Sequence, residues 1–453
     1  MIPEQRSPEG ALPDPAPSPR PSTGSRRRTS WDLLRVVAVL AVVLQHATHQ
    51  GPISHPELGP TPFTFSVQAG AATLLVISAF FVCCTVRRAR PLRWWWNRVS
   101  RLMPPYLVAV LVTYALVVLV AAPDWYRPTL GDLLGNLLLA QAWWPDVHYV
   151  DGSYWTLPVQ LLAFTAAAVL WPLRWMRGWR APLTLWAIVV VPTLLRLTWR
   201  TDDASQLVRS VYDGLGLYRT HLFAAGVGIW LWSRRRLRGW HLTLLLGAVL
   251  LAHEVQTKDR PSTIAVGVML GLVCLAAAGP DWTFARFLRQ PATFLAGISY
   301  GVYLLNQEIG YLLARLLLDR GAGPWTRLLA TVAAAILLGW LLTTLVERPA
   351  HRWLTGPVAD RLATAGRAAG LRAGWGVRLA LALGFRWAVR IAGLHQLPAP
   401  RGSAGQIQGG RSGSSPARAI PSPRPVSQAS TLAAWPLTET GFPLTGERTS
   451  HTR

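Results

Sequence analysis

Composition places this chain in a membrane. Of its 453 residues, 51% are hydrophobic and only 15% are charged, and the mean hydropathy is +0.27. Soluble domains carry about 25% charged residues, so the composition argues against a soluble globular enzyme and excludes disorder along the whole chain. The three cysteines all lie in apolar runs and show neither a disulfide framework nor zinc-ligand spacing, so we predict no metal site.

The two ends of the chain are predicted to lie outside the bilayer. Residues 1–30 are rich in Pro, Ser and Arg without apolar periodicity, which predicts a disordered basic tail. Residues 355–453 are again polar and basic and are predicted to form a cytoplasmic tail. Within it, the segment 375–394 favours an amphipathic helix on anionic lipid, with an eleventh membrane span as the alternative. Its three arginines share one helical face: Arg378, Arg386 and Arg390.

Between the tails, residues 31–354 are predicted to form one all-α polytopic membrane domain. Ten apolar runs are long enough, or nearly so, to cross a hydrocarbon core about 30 Å thick. The stretch 130–143 is too short to cross and is predicted to be interfacial or re-entrant. The ten predicted spans are 31–48, 64–86, 104–122, 154–171, 181–198, 215–232, 239–253, 261–279, 293–318 and 327–346.

The distribution of basic residues predicts the orientation of these spans. With the N-terminus in the cytoplasm, twenty arginines fall in the inner segments and six basic residues fall in the outer loops, as the positive-inside rule requires. We therefore predict a multi-pass plasma-membrane protein with both termini in the cytoplasm. The same bias explains much of the net charge of +24, so we expect membrane lipids and no nucleic acid among the partners.

Two ionisable side chains share one face of the first predicted span. Arg35 and His46 are eleven residues apart, which is about 20° beyond three full helical turns and about 16 Å along the axis. This spacing predicts a cation near the inner membrane face and a proton acceptor near the outer one. The alternative is that Arg35 snorkels to the inner surface and His46 sits in water at the outer rim.

An arginine cluster precedes the third predicted span. Six arginines and no acid lie between residues 87 and 101, in a segment that we expect to form a cytoplasmic loop. Guanidinium groups bind phosphate bidentately, so Arg98 and Arg101, three residues apart, predict a site for a phosphate-rich ligand at the cytoplasmic mouth. The alternative is ordinary positive-inside charge.

Polar side chains on two later spans are predicted to reach the depth of His46. Gln160 lies about 9 Å below the outer surface, and Asn306 and Glu308 lie about 20 Å above the inner start of their span. Tyr300 lies on the same span as Asn306. Groups at one depth can form a site, or they can merely join helices through hydrogen bonds.

In their order and spacing, these segments resemble the acyltransferase-3 family of integral membrane acyltransferases. The resemblance covers about residues 31–354 and rests on WDLLRVVAVLAVVLQHA, LLVISAFFV, NRVSRLMPPYLVAV, SYWTLPVQ, ISYGVYLLN and VERPAHRWL. It implies transfer of an acyl group, often acetyl, from cytoplasmic acyl-CoA to a hydroxyl of a sugar or similar acceptor. His46 matches the family's essential histidine, and Arg35 matches its paired arginine. Arg98 and Arg101 match the family's Arg-x-x-Arg, which is implicated in CoA handling.

Two positions depart from the family's pattern. The family usually has Glu where this chain has Gln160, and it often has His where this chain has Asn306. A carboxylate that would orient or charge-balance the catalytic histidine is therefore missing. Glu308, at a similar depth, is the candidate to replace it.

The resulting prediction is an O-acyltransferase in which His46 acts as general base on the acceptor hydroxyl, because a neutral imidazole suits that task. Arg98 and Arg101, aided by Arg35, are predicted to hold the donor's phosphates. Acyl-CoA, most simply acetyl-CoA, is the expected donor substrate, and no bound cofactor is expected. We further expect one passage through the bilayer to join His46 to the arginine pair.

The acceptor and the supporting residues are predicted less specifically. An envelope glycan or a natural-product glycoside is the expected acceptor. Tyr300 or Asn306 are candidates to stabilise the oxyanion. The alternative function is a non-enzymatic transporter or a binding-only relative, which the residues Gln160 and Asn306 favour.

Overall fold

The computed structural model describes most of the predicted membrane domain. Within the described residues every regular element is a helix, in agreement with the predicted all-α class. Nearly all of both predicted tails lies outside the described residues, including the segment 375–394. At the two ends the chain is helical from Thr29 and as far as Thr355. The described ranges are 28–86, 90–144, 146–170, 178–201 and 203–356.

Fifteen α-helices follow one another along the described chain. Two π-helical turns, His46–Gln50 and Thr343–Glu347, make α1 continuous with α2 and α14 continuous with α15. The helices are α1 (Thr29–Gln45), α2 (Gly51–Ser54), α3 (Ala69–Val86), α4 (Pro91–Val120), α5 (Leu130–Leu137), α6 (Thr156–Leu170), α7 (Arg180–Thr198), α8 (Gln206–Gly214), α9 (Thr220–Ser233), α10 (Gly239–Thr257), α11 (Arg260–Ala278), α12 (Arg289–Leu305), α13 (Glu308–Leu318), α14 (Pro324–Leu342) and α15 (Arg348–Thr355).

Seven helical segments are long and apolar enough to cross a membrane, which supports a multi-pass membrane protein. The predicted total of ten spans is not established by this number. The other three predicted spans correspond to α9, to α10 and to α12 with α13, and α9 and α12 have only 14 and 17 residues. The seven segments are Thr29–Ser54, Ala69–Val86, Pro91–Val120, Gly152–Leu170, Arg180–Thr198, Arg260–Ala278 and Pro324–Thr355.

The span predicted over 293–318 is not one continuous helix. Helix α12 ends at Leu305 and α13 begins at Glu308. The Glu308 N–H donates to the carboxylate of Asp151 over 3.1 Å, and the side-chain amide of Asn306 turns back to a backbone carbonyl. Side chains therefore bind backbone groups that leave the helical ladder, which permits a break at membrane depth.

The prediction of a loop over the arginine cluster was also wrong for the second half of the cluster, which is helical. Helix α4 begins at Pro91, so Arg98 and Arg101 lie on a helix of 30 residues. Proline in the first turn is compatible with helix initiation because its missing N–H would have no helical partner there. Pro104 and Pro105 lie inside the helix without ending it.

Small residues allow the central helices to approach closely. A Cβ atom at Gly70 on α3 would lie 2.4 Å from the carbonyl oxygen of Ala38 on α1. A Cβ atom at Gly301 on α12 would lie 2.5 Å from the carbonyl oxygen of Gly339 on α14. Close backbone approach of this kind is a common packing device between membrane helices. The first contact joins α3 to α1, and the second joins α12 to α14.

One end of the bundle collects segments that were predicted to lie inside the cell. The carboxylate of Asp281 accepts the N–H groups of Thr29 and Ser30, at 3.0 and 2.9 Å, where α1 begins. The start of α4 lies at the same end, because Trp94 Nε1 donates to Thr85 Oγ1 over 2.9 Å near the end of α3. We call this end, where α1 and α4 begin and α3 finishes, the arginine end.

The opposite end collects the segments predicted to lie outside. The Gln68 N–H donates to Ser262 Oγ over 2.7 Å and so joins the starts of α3 and α11. Arg327 on α14 donates to the Leu58 carbonyl in the loop after α2. We call this end the histidine end, because α1 reaches it at His46. The grouping of segments agrees with the predicted alternation, and which end faces the cytoplasm stays a prediction.

Candidate active site

His46 lies where the first helical segment changes its hydrogen-bond pattern. Helix α1 gives way here to the π-helical turn, and the His46 N–H points at the carbonyls of both Val42 and Val43. Such a turn inserts one extra residue into a helix and occurs frequently at functional sites. The side chain enters the bundle, since His46 is only 5% exposed.

A hydrogen bond to Asn306 fixes the tautomer of His46. Asn306 Nδ2 donates to the Tyr303 carbonyl over 2.7 Å, so Oδ1 is the amide atom that meets His46 Nδ1, also at 2.7 Å. An amide oxygen only accepts, and therefore Nδ1 carries the proton. In the neutral ring, Nε2 then holds the lone pair that can accept a proton.

A second layer of hydrogen bonds holds the segment around Asn306. Tyr303 Oη donates to the Ser153 carbonyl over 2.9 Å. The Asp151 carboxylate accepts from Ser153 N at 2.8 Å and from Ser153 Oγ at 2.5 Å, besides its bond to the Glu308 N–H. This network anchors the break after α12 and so fixes the partner of His46.

The other predicted supporting residues do not join His46. Tyr300 Oη donates to the Leu102 carbonyl over 2.9 Å, toward the arginine end. Glu308 enters the network through its backbone N–H, and among the described residues no side-chain hydrogen bond joins Glu308 or Gln160 to His46. Gln160 is half-buried on α6. Of the predicted supporting residues, the structure therefore brings only Asn306 to the imidazole.

A cavity opens beside His46 at the histidine end, with about 540 Å³ of empty volume when the open solvent at its mouth is included. It extends from the loop before α3 to the imidazole and to Tyr303, and Arg219 also lines it. Amide, hydroxyl and imidazole groups alternate with apolar side chains along its wall. A concave site with a few converging polar groups is the usual form of a small-molecule binding site.

At the arginine end, Arg98 lies against the end of α3. Its Nη2 donates to Thr85 Oγ1 over 3.0 Å. The guanidinium carbon lies 5.8 Å from the ring centroids of both Trp94 and Phe164, within cation–π range. The side chain is half-buried, and its position is set by a hydroxyl and two aromatic rings rather than by an acid.

Arg101 is paired with Glu347, a residue for which the sequence predicted no role. Arg101 Nε donates to Glu347 Oε1 over 2.8 Å, and the Arg101 side chain is 54% exposed whereas that of Glu347 is 5% exposed. Glu347 ends the second π-helical turn. Next to it, Ser100 Oγ and His351 Nδ1 are 3.1 Å apart. Each of the two π-helical turns thus holds a buried member of a candidate functional pair, His46 in the first turn and Glu347 in the second.

Arg35 lies on the same end as Arg98 and far from His46. Its guanidinium carbon lies 4.9 Å from the ring centroid of Phe81, and Phe81 is one helical turn, about 6 Å, from Thr85, the partner of Arg98. About 16 Å of α1 separates Arg35 from His46. The cavity beside His46 is lined by none of the three predicted arginines. The expected single passage between the two ends is therefore not part of this cavity.

Comparison with known proteins identifies the family. A family model described as an acyltransferase domain matches residues 28–344, which is more than half of the chain. The chain belongs to the acyltransferase-3 family. It is therefore a multi-pass membrane protein and an acyl-transferring enzyme. The matched region contains both His46 with Asn306 and the arginine pair, and it ends three residues before Glu347.

Two known proteins are similar to this acyltransferase-3 member. The acyltransferase MdmB of Streptomyces mycarofaciens is 26% identical over 373 residues, which is 71% of this chain and 91% of that protein. Nodulation protein 10 of Rhizobium leguminosarum bv. viciae is 25% identical over 382 residues, or 77% of this chain and 100% of that protein. No solved structure matches the chain.

Sequence reasoning missed three polar groups of this region. Asp151 and Glu347 are acids at the ends of apolar segments, and only the fold shows that one anchors the break after α12 and the other meets Arg101. Arg219 lies inside the predicted span 215–232. An ionisable residue within a span is a functional candidate by default, so this signal was present in the sequence.

Proposed function

We propose that this enzyme transfers an acyl group, acetyl in the simplest case, from cytoplasmic acyl-CoA to a hydroxyl of a sugar-containing acceptor. An envelope glycan or a natural-product glycoside fits that description. The proposal further places the chain in the plasma membrane with its arginine end in the cytoplasm. The observation that carries it is the hydrogen bond of 2.7 Å between His46 Nδ1 and Asn306 Oδ1, at the wall of a cavity.

The chemistry follows from the tautomer of His46. Nε2 accepts the proton of the acceptor hydroxyl as its oxygen attacks the thioester carbonyl carbon. A C–O bond forms, the C–S bond of the thioester breaks, and the departing CoA thiolate takes the proton from the imidazolium. The Asn306 oxygen accepts from Nδ1–H in every protonation state, so the ring keeps its orientation throughout.

The donor's phosphates would be bound at the arginine end. Arg101 uses Nε for Glu347, which leaves the terminal nitrogens of its exposed fork to face a phosphate. Arg98 supplies a second cation one helical turn away, and Arg35 lies close to the same surface through Phe81. The acyl end of the donor then has to reach about 16 Å along α1 to the imidazole, so the proposal requires a path to open beside this helix.

Replacing His46 tests the proposal directly. The variant His46→Ala should lower kcat by about 100-fold or more, because general-base catalysis by a positioned imidazole contributes about 10²–10⁴-fold. The assay is release of the CoA thiol from acetyl-CoA by the purified chain in lipid nanodiscs, with mass spectrometry of the acylated glycosides. Binding of CoA should persist in the variant, because the arginine end is unaltered.

His49→Ala is the matched control. His49 lies in the same π-helical turn and is half-buried, but it does not line the cavity. Its replacement should leave kcat close to that of the wild type. Full activity of a correctly inserted His46→Ala protein would refute the catalytic role of this histidine, and a transporter would show the same indifference.

A further inference from the structure

Arg219 is a buried cation in the cavity of His46 that the mechanism above does not use. It ends the short helical turn Leu217–Arg219 before α9 and is 7% exposed. Its guanidinium carbon lies 4.9 Å from the ring centroid of Trp155 and 5.3 Å from that of Tyr218. Among the described residues, no acid lies within ion-pair distance of Arg219, and its Nε has no hydrogen-bond acceptor.

A charge in this position needs compensation. Burying a cation away from water is costly unless an opposite charge or several hydrogen bonds replace its hydration, and the cost is higher inside a bilayer. The rings of Trp155 and Tyr218 supply part of this compensation through cation–π attraction. Stacking uses the face of the guanidinium and leaves the N–H groups at its edge for in-plane partners. Carboxylates and phosphates are the groups that match such an edge.

Two other nitrogen atoms of the same cavity wall also lack a hydrogen-bond partner among the described residues. Gln45 Nε2 and His253 Nε2 are buried without a hydrogen-bond partner among the described residues. The wall contains one acid, Asp259, and its carboxylate already accepts from Ser262 N at 3.2 Å and from Ser262 Oγ at 2.5 Å. The Gln45 amide and the Arg219 guanidinium therefore offer N–H donors to this cavity, which suits a ligand group with several acceptor oxygens.

The phosphates of the donor are too far away to be that group. Ala72 on α3 lines the cavity, whereas Thr85 on the same helix binds Arg98 at the arginine end. Thirteen residues of helix separate the two positions, which is about 20 Å. If the donor's phosphates lie at Arg98, a second anion has to come from the other substrate.

We propose that the acceptor carries a compact anionic group, a carboxylate or a phosphate, and that Arg219 binds this group while a hydroxyl of the acceptor faces His46. This inference rests on the proposed acyl transfer and specifies its acceptor class. An acidic sugar or a sugar phosphate has this combination of anion and hydroxyl.

Binding measurements separate the inference from the catalysis. The full-length chain in nanodiscs is titrated calorimetrically with methyl glucuronide, methyl glucoside 6-phosphate and neutral methyl glucoside. At least one anionic glycoside should bind about 10- to 100-fold more tightly than the neutral one, since a hydrogen bond to a charged group contributes about 1.5–3 kcal/mol. The two anionic arms distinguish a carboxylate from a phosphate.

Two substitutions of Arg219 test its role. Arg219→Gln should abolish the preference for the anionic glycosides, and Arg219→Lys should retain part of it because the charge remains without the planar fork. Arg320→Gln, an exposed arginine in the loop before α14, should bind all three glycosides like the wild type. If Arg219→Gln fails to fold, the preference of the wild type and the behaviour of Arg219→Lys still decide the question.

Three results would overturn the inference. One is equal binding of the three glycosides by the wild type. Another is an unchanged anion preference in Arg219→Gln. The third is a loss of CoA affinity in Arg219→Gln, which would assign the anion to the donor.

The outcome for acyl transfer is read separately. His46→Ala should keep the anion preference while it loses acyl transfer. If the wild type binds the anionic glycosides but transfers no acyl group, the proposed function is rejected and the inferred anion site is not. Transfer without any anion preference would reject the acceptor class alone. A fall in kcat of Arg219→Gln that is equal for neutral and anionic acceptors would instead make Arg219 a stabiliser of the transition state, and would also reject the acceptor class.

Discussion

The two ends of the bundle treat their polar groups differently. At the histidine end, His46 is buried and its orientation is set by a chain of hydrogen bonds through Asn306 and Tyr303 to Ser153. At the arginine end, Arg101 is more than half exposed and is held by a single acid. The histidine end therefore holds its functional side chain in one orientation, and the arginine end exposes a charged side chain to solvent.

This contrast agrees with the tasks that the proposed reaction assigns to the two ends. A general base has to lie within hydrogen-bond reach of the proton that it takes, and a displacement of about 1 Å can be costly. Phosphate recognition tolerates more freedom, because charge–charge attraction falls slowly with distance and a guanidinium fork adapts to its partner. Substitutions at the histidine end should therefore change kcat, and substitutions at the arginine end should change the KM for the donor.

Replacement of Asn306 is expected to have the largest effect. Asn306→Leu removes the acceptor of His46 Nδ1–H, so the ring can rotate or change tautomer and Nε2 no longer points at the substrate. We expect kcat to fall by about 100-fold, in the range of general-base contributions, while the KM for acetyl-CoA stays unchanged. Steady-state kinetics of thiol release measures both.

Asn306→Asp separates orientation from mere packing. An aspartate oxygen can still accept from Nδ1–H, so this variant should recover most of the activity that Asn306→Leu loses. If both variants lose kcat equally while remaining folded, or if Asn306→Leu raises the KM for acetyl-CoA instead, the distinction between the two ends would fail.

Glu347→Gln should have a smaller effect at the arginine end. The amide can still accept from Arg101 Nε, but it no longer provides the charge that holds the exposed side chain in place. Ion pairs with one exposed partner contribute up to about 1 kcal/mol, which corresponds to about a fivefold change in an equilibrium constant. We therefore expect the KM for acetyl-CoA to rise about fivefold with kcat unchanged.

The comparison is Arg315, a half-buried arginine at the histidine end that pairs with the exposed Asp319 over 3.0 Å. Asp319→Asn breaks an arginine–carboxylate pair in which the acid is the exposed partner, and it should leave the KM for acetyl-CoA unaltered. A lower KM in Glu347→Gln would mean that the carboxylate repels the donor's phosphates more than it positions Arg101.

The sequence predicted those features that depend on local periodicity. The spacing of Arg35 and His46 places them on one helix at opposite depths, and the structure has that continuous helix. The break at Asn306 could not be predicted, because the Asp151 carboxylate that binds the Glu308 N–H lies 157 positions before Glu308. The same holds for Glu347, which meets Arg101 across 246 positions. An apolar pattern predicts which segments enter the membrane, but it does not predict which polar groups come into contact there.

Replacement of Asp281 is expected to have the smallest effect. It tests a residue of the arginine end that should affect stability and not catalysis. Its carboxylate binds the first N–H groups of α1, and although burial opposes ionisation, these hydrogen bonds hold the pKa of Asp281 below its usual range. Asp281→Asn should lower the free energy of unfolding by about 0.5–1 kcal/mol, as for a lost helix cap, with the low end expected because the side chain is partly accessible to solvent.

The pH dependence of this contribution has a definite sign. Because the folded-state pKa of Asp281 is depressed, the stabilisation is present above the unfolded pKa of about 3.9 and is lost as the pH falls through the lower, folded value. Unfolding in mixed detergent micelles should therefore differ between the wild type and Asp281→Asn at pH 7 and converge at low pH. Neither kcat nor the KM for acetyl-CoA should change, since α1 keeps Arg35 and His46 on one continuous helix. A change in either constant would mean that the start of α1 also controls the donor site, and the arginine end would then share the geometric sensitivity of the histidine end.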